Sequence, residues 1–449
     1  MKAKLFILFL LLAACEQPLP EDNQSTKAYE IVVSPETPYT NQEITFALDP
    51  FHQEVVWYIN NESLAESTVE LLPGVYTVRA DIVSLEEAES ILTELEVYPK
   101  GYAYKPVSED TRSTGMINEL AFNEDGALAV AYTYYKALQI YEIQQERLLL
   151  TAEPEKPVLD ETLWPEGMDL YQETKHVSWK GKDLLVQAPM LPIISVYRYE
   201  QNQLVKQVSS TGDADRIPIN KVAWDADDIV VTTITEAVQR LSSENNKLIR
   251  DGYRNRRAPG AVHYLQAHQQ AGKQQLLIGV EHAVDLLEWT EIDLQEQHWT
   301  IGVQDKPKHQ AMHVSKQVIQ TNKPRPAMIK VNNQLLIADD RLKLYEIQEQ
   351  QLQLVAHKVS PPGIVELKKS PYGILARTRN QTTRQTKFYE ISLGQEQIHI
   401  TPLPPLDTQI NIHKAAAYKD YLVIGGSEWA GKNHSLQLFK RTEIPLINE

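Results

Sequence analysis

The segment Ala137–Leu150 returns almost unchanged as Arg341–Leu354, with Tyr-Glu-Ile-Gln at the centre of both copies. Tyr-Glu-Ile occurs again at 389–391, and looser versions stand at Val196–Tyr199, Trp289–Ile292 and Leu436–Phe439. Upstream of these copies a polar turn leads into an apolar strand: Asn123–Ala131, Lys180–Val186, Asp225–Val231, Gln274–Gly279, Asn332–Ala338, Ser370–Ala376 and Lys419–Gly425. Self-similarity at such a period marks a repeat architecture, in which each unit buries its apolar face on the next. Every unit parses as four strands. The first ends at Phe122, Trp179, Trp224, Leu265, Val331, Leu367 or Tyr418, the second is the apolar run, the third carries the Tyr-Glu-Ile line, and the fourth is an edge. No helical period intervenes, so seven units of four antiparallel strands predict a seven-bladed β-propeller over residues 100–449.

The turn-and-strand pattern of Asn123–Ala131 and Ala137–Leu150 resembles the lactonase-like and quinoprotein-like seven-bladed propellers of bacterial envelopes. The Gly-His and Trp-Asp dipeptides of WD repeats and the tryptophan-docking repeats of quinone-cofactor propellers are missing, so the resemblance implies the fold and no subfamily. Connections one-to-two and three-to-four read as tight, two-to-three and four-to-one as long, which gathers the elaborated loops on one face. That face is expected to carry a basic patch. Residues 250–260 hold Arg250, Arg254, Arg256 and Arg257 against one Asp, and residues 302–325 hold Lys306, Lys308, Lys316, Lys323 and Arg325 against one Asp. With Tyr253, Arg341, Arg377, Arg379 and Trp429 they form the expected binding surface, because guanidinium forks suit carboxylate and phosphate and aromatic rings suit sugars or a protein face.

The first fourteen residues have a lysine-bearing start and a short apolar run, too short to span a bilayer, which reads as a signal peptide. Leu12-Ala13-Ala14-Cys15 resembles the lipobox of bacterial lipoproteins. The resemblance implies cleavage before Cys15, its lipidation and a membrane partner reached through that lipid. Glu16 stands where Asp commonly signals inner-membrane retention, which favours the outer membrane, and residues 15–27 make a polar tether. Residues 28–99 alternate as short strands and predict a small β-sandwich. Trp57–Asn60 and Leu72–Val78 resemble polycystic-kidney-disease-type and other immunoglobulin-like domains, with Trp57 expected in the core. Fourteen acids face one base there, Arg79, which suits a stand-off spacer beside anionic headgroups.

A net charge of −16 argues against a general nucleic-acid partner, and a single cysteine excludes an internal disulfide or a cysteine-based zinc site. No metal or other cofactor is expected. Gly-x-Ser-x-Gly, His-Glu-x-x-His and phosphate-binding glycine loops do not occur. Glu281-His282, Asp339-Asp340 and Glu428 with His434 are loose acid–base candidates, and His263 with His268 a weak metal pair, each read more simply as ordinary polar residues. The sequence therefore predicts a lipid-anchored binding or scaffold protein that contacts a protein or an anionic polysaccharide. A propeller hydrolase or lyase acting on a glycan or lactone is the alternative.

Overall fold

The structure is a computed structural model describing residues 29–443 except 53, 84–87, 111–114, 133–136, 155–173, 188–193, 210–218, 234–237, 245–246, 255–261, 292–303, 314–317, 350, 381 and 428–433. It is all-β, with no helix among the described residues. The expected signal segment, Cys15 and the expected tether lie outside them.

Two compact units separate. Residues up to Glu36, Glu43–Glu70 and Tyr76–Leu95 form the first, and Thr37–Gln42, Leu71–Val75 and Glu96–Glu449 the second. In the first, the alternation of Ile44, Phe46 and Leu48 puts every second side chain of Glu43–Asp49 inside. A three-stranded sheet (Glu30–Ser34, Glu43–Asp49, Thr68–Glu70) faces a four-stranded one built around Val55–Ile59 and Gly74–Val83. Trp57 is buried and its ring lies 5.6 Å from that of Phe46, the core position expected of it.

The second unit is a succession of four-stranded antiparallel groups, named here sheets I to VII. Sheet I is Ile117–Phe122, Ala127–Tyr132, Leu138–Gln144 and Arg147–Ala152, and sheet II is His176–Lys180, Asp183–Gln187, Ile194–Glu200 and Gln203–Ser209. Sheet III is Ile219–Asp225, Asp228–Thr233, Val238–Glu244 and Lys247–Arg254, and sheet IV is Tyr264–Gln270, Lys273–Val280, Ala283–Glu291 and Gln304–His313. The fourth strands of III and IV pair in parallel and join the two sheets. Sheet V is Ala327–Val331, Gln334–Ala338, Arg341–Gln348 and Gln351–Val359, and sheet VI is Ile364–Ser370, Gly373–Arg379, Thr386–Leu393 and Ile398–Pro402. Sheet VII takes Asn411–Tyr418, Tyr421–Ser427 and His434–Glu443 from the end of the chain. Its fourth strand is Tyr102–Asp110, far upstream.

The second strands explain why the sequence shows continuous apolar runs there rather than alternation. A strand covered on both faces must be apolar at every position, and its two faces serve different neighbours. Ala127, Ala129 and Ala131 pack on sheet II with Leu184 and Val186, whereas Leu128, Val130 and Tyr132 pack on sheet VII with Val423 and Leu438. Leu335 and Ile337 face sheet IV, whereas Leu336 and Ala338 face sheet VI. Further apolar clusters join II to III, III to IV, and VI to VII, so each sheet has two neighbours and sheet VII packs against sheet I. Each buried Leu, Ile or Val contributes about 1.5–3 kcal/mol.

Neighbouring sheets are also stitched by indoles. Trp179 donates its ring N–H to the Ala121 carbonyl (2.9 Å), and Trp224, at the matching place in the next sheet, donates to the Ser178 carbonyl (3.0 Å).

The structure corrects the expected boundaries in several places. Leu265 and Leu367 lie inside their first strands, which run on to Gln270 and Ser370. Two of the two-to-three connections expected to be long are tight, Val280 to Ala283 and Ala338 to Arg341. Polar pairs such as Glu281-His282 and Asp339-Asp340 do not distinguish the two cases, because a two-residue hairpin needs polar residues as much as a long loop does.

Candidate functional site: charged side chains where the first strands begin

The first strands of sheets I, III, VI and VII share a local irregularity. In each, one extra residue (Asn118, Asn220, Val365, His413) bulges between a buried isoleucine and the next paired position. A bulge re-aims the side chains beside it. The residue that follows is charged in all four sheets: Glu119, Lys221, Glu366 and Lys414. In sheet II the corresponding place is taken by His176, paired with Gln187. Side-chain amides tie one strand start to the next. Asn118 donates to the Thr174 carbonyl (2.9 Å), Gln187 to that of Ile219 (2.9 Å), and Asn220 to that of Val262 (2.6 Å).

These residues meet. Lys368 of sheet VI donates to Glu119 of sheet I (2.5 Å) and to the Leu120 carbonyl (2.7 Å), and lies 3.4 Å from Glu366. Arg377 donates to the other oxygen of Glu366 (2.8 Å). Lys414 of sheet VII stands between the two carboxylates, 3.5 Å from Glu366 and 3.7 Å from Glu119, and the His176 ring is 3.7 Å from Glu119. The side chains of Arg377, Glu366 and Glu119 keep only 8%, 12% and 15% exposure, so solvent screens these contacts weakly.

Electrostatics divide the cluster in two. Burial would raise the Glu119 carboxyl, but Lys368, Lys414 and His176 outweigh it and hold the group well below its ordinary range. Glu366 is likewise held low, its burial offset by Lys368, Lys414 and Arg377. Lys368 is pushed up: burial opposes its charge, and the two glutamates prevail. Lys221 differs. Burial lowers it, Lys414 and Lys175 lower it further, and Glu119 offsets this only in part. No ion pair within 4.0 Å is found for Lys221 among the described residues. His263, just before the first strand of sheet IV, is pushed down to about 4 by burial and by Lys221 and Arg325. Lys221, Lys368, Arg377 and Lys414 thus face two glutamates, and Lys221 of sheet III is the cation with no carboxylate within 4.0 Å among the described residues.

The residues expected from the sequence lie mostly elsewhere. Arg250, Tyr253 and Arg254 belong to the fourth strand of sheet III and not to a loop, and Arg250 is buried. Lys306 and Lys308 belong to the fourth strand of sheet IV, with side chains outside the described residues. Arg256, Arg257, Trp429 and Glu428 also lie outside them. Arg341 is exposed at the start of a strand, Arg379 ends one, and Arg377, expected on a loop rim, is buried in the cluster. The loose acid–base candidates clamp the connection into sheet V. Asp339 accepts the backbone N–H groups of Asn322 (3.0 Å) and Lys323 (2.7 Å) and pairs with Lys343 (2.7 Å). Asp340 pairs with the same lysine (3.0 Å), Glu281 pairs with Arg325 (2.6 Å), and Thr321 donates its backbone N–H to the His282 carbonyl. His434 stands at the start of the third strand of sheet VII. No group of three His, Cys, Asp or Glu side chains able to hold a metal occurs among the described residues.

Sequence reasoning missed Glu119, Lys221, Glu366 and Lys414, although a signal for them exists. Ile117-Asn118-Glu119-Leu120, Ile219-Asn220-Lys221-Val222, Ile364-Val365-Glu366-Leu367 and Ile412-His413-Lys414-Ala415 repeat one pattern, an isoleucine and a charged residue two places on. The bulge breaks strict alternation at that point, so a search for period-two strands passes over it.

No family model matches the chain, and no curated protein matches it. Among solved structures it is similar to the crystal structure of the computationally designed Ika8 protein, at 12% identity and a TM-score of 0.46, over 75% of this chain and 99% of that one.

Proposed function

We propose that the second unit is a seven-bladed β-propeller on a lipid anchor at Cys15, acting at the outer membrane as a binding protein for an anionic glycan. The ring is supported by the alternate faces of the second strands, which serve successive sheets, by the packing of sheet VII on sheet I, and by Tyr102–Asp110 completing the last sheet. In such a ring the first strands surround a common axis, and their starts lie at the mouth where the four-to-one connections arrive. The acidic first unit, similar to immunoglobulin-like spacers, stands between tether and propeller in the chain.

The observation that carries the binding role is Lys221, a charged side chain set among other cations and without an ion pair of its own among the described residues. A half-buried ammonium in that position favours an anion delivered by a partner. The test is retention of the protein on immobilised polygalacturonate. Lys221→Met is expected to weaken it about tenfold or more, the usual worth of a charge-assisted hydrogen bond. Equal retention of the variant, or of the parent on neutral dextran, would contradict the role.

A further inference from the structure

Sheet VI loses its outer strand early. Its fourth strand, Ile398–Pro402, follows the third, Thr386–Leu393, as far as Pro402 opposite Tyr389, and the Leu403 N–H then bonds the Phe388 carbonyl (2.8 Å). Continuing that register sets Pro404 against Lys387 and Pro405 against Thr386. Neither proline has an N–H to give, and the ladder stops. On the other side of the third strand, the Asn380 N–H bonds the Gln385 carbonyl (2.9 Å), whereas Arg379, opposite Thr386, spends its N–H on Gly363 (2.9 Å). Antiparallel alternation therefore turns the backbone N–H and C=O of Thr386 towards the edge that the fourth strand has left. Neither group has a partner among the described residues.

That edge adjoins open space. Thr386 and the connection Leu403–Leu406 both line a cavity of about 470 Å³, within the size range of ordinary binding clefts. Phe388, Leu403, Ile410 and Ile412 line it as well, and all four belong to the apolar cluster that packs sheet VI on sheet VII. Thr386 and Phe388 stand two apart and share a face of the strand, so a side chain placed opposite Thr386 falls on that apolar face. Arg384 and Lys387 complete the lining, which contains no Asp or Glu. Lys387 donates to Glu96 (2.7 Å). Arg384 is exposed and closes a turn in which the Asn380 side chain accepts the backbone N–H groups of Thr382 (2.8 Å) and Thr383 (2.9 Å), and the Asn380 carbonyl that of Arg384 (2.9 Å).

We propose that this cavity takes an extended, acidic peptide segment. It adds antiparallel to Thr386, in the place that Pro404 and Pro405 cannot fill, and its own N–H and C=O pair with those of Thr386, as strand addition requires. The side chain opposite Thr386 is apolar and packs towards Phe388, Ile410 and Ile412. Two residues further on, the antiparallel register brings the peptide beside Arg384, where a carboxylate meets the guanidinium. The site lies on sheets VI and VII, does not involve Lys221, and adds a peptide partner to the glycan reading above.

Methyl spectra of the isoleucine-labelled full chain, titrated with acetyl-Thr-Leu-Thr-Glu-amide, test the proposal. The Ile410 and Ile412 signals, assigned from Ile410→Val and Ile412→Val, are expected to shift saturably. Arg384→Gln should weaken binding about tenfold, and so should glutamine in place of the peptide's glutamate, since each removes a charge-assisted hydrogen bond. N-methylation of the peptide's leucine should weaken it about tenfold or more, because it removes the donor that pairs with Thr386. Acetyl-Thr-Leu-Thr-Gln with a free carboxyl end separates two sources of the carboxylate. Binding as tight as that of the glutamate peptide assigns the site to chain ends, and binding as weak as that of the neutral amide assigns it to internal acidic residues; both support the proposal. Lys221→Met should leave the titration unchanged, and loss of the shifts in that variant would move the peptide to the anion site and overturn the assignment. So would the lack of a saturable shift at both isoleucines, or affinities indifferent to N-methylation and to Arg384→Gln.

Discussion

Replacing Glu119 by Leu should destabilise the protein by about 3 kcal/mol, because it strands a largely buried ammonium rather than removing a surface ion pair. Lys368 loses its closest partner, at 2.5 Å, and keeps the Leu120 carbonyl at 2.7 Å and, as its remaining carboxylate, Glu366 at 3.4 Å, which it must share with Arg377 and Lys414. Removing both charges should be far milder. In Glu119→Leu with Lys368→Met the ammonium that lost its closest partner is gone as well, and Glu366 keeps Arg377 at 2.8 Å and Lys414 at 3.5 Å. Two apolar side chains of similar bulk then replace the pair. Urea midpoints of the parent, both single variants and the double variant give a coupling energy, expected at about 2 kcal/mol or more in favour of the pair. Strictly additive losses would mean that the two side chains do not meet, and with them the convergence of sheets I and VI would fail.

Acid should unfold the protein in two stages, and the sign follows from each group. His263 has its ring pushed down to about 4, so it stays neutral in the fold while the unfolded chain takes up a proton near pH 6.5. Stability is therefore expected to fall as the pH drops from about 6.5 towards 4, by up to about 1.4 kcal/mol per pH unit for each proton taken up on unfolding. His268, His413 and His434 are lowered by burial as well and act in the same direction. Glu119 and Glu366 are held below their ordinary range, so their contribution is complete above about pH 4.5 and is lost as the pH falls further through their folded values. Urea midpoints between pH 7.5 and 3 measure both stages. His263→Asn should shrink the first by the share of one histidine and leave the second. A profile flat from pH 6.5 to 5 would contradict the burial assigned to the imidazoles.

The sequence carried the architecture further than the site. The Tyr-Glu-Ile copies and the apolar runs before them located all seven second strands, because a strand buried on two faces leaves no polar residue to confuse the pattern, as in Ala127–Tyr132. Three features escaped it. The strand that completes sheet VII, Tyr102–Asp110, has no repeat upstream or downstream to align with, and its pairing with His434–Glu443 is a contact between the two ends of the second unit. Charge counting pointed to arginines in supposed loops, but Arg250 and Arg377 are buried in strands, since a tally of charges does not distinguish a rim from an interior ion pair. The lysines and glutamates that do converge lie on separate repeats, Glu119 and Lys368 being partners in space and remote in the chain. Their common position after a bulge becomes visible only when the strands are paired.

The ring itself is most directly tested by a disulfide across its closing strands. Ala103 and Thr442 stand opposite each other in the antiparallel pair of Tyr102–Asp110 and His434–Glu443, within the range of Cα separations that a disulfide spans. In a chain whose only natural cysteine, Cys15, is replaced by Ser, cysteines at these two positions should oxidise within one molecule. The bond should also raise stability by up to about 5 kcal/mol, since it ties off a very long loop of the unfolded chain. Fast-migrating oxidised monomer with a raised, reductant-sensitive unfolding midpoint is the predicted result. Free thiols or disulfide-linked oligomers at low protein concentration would contradict a closed ring.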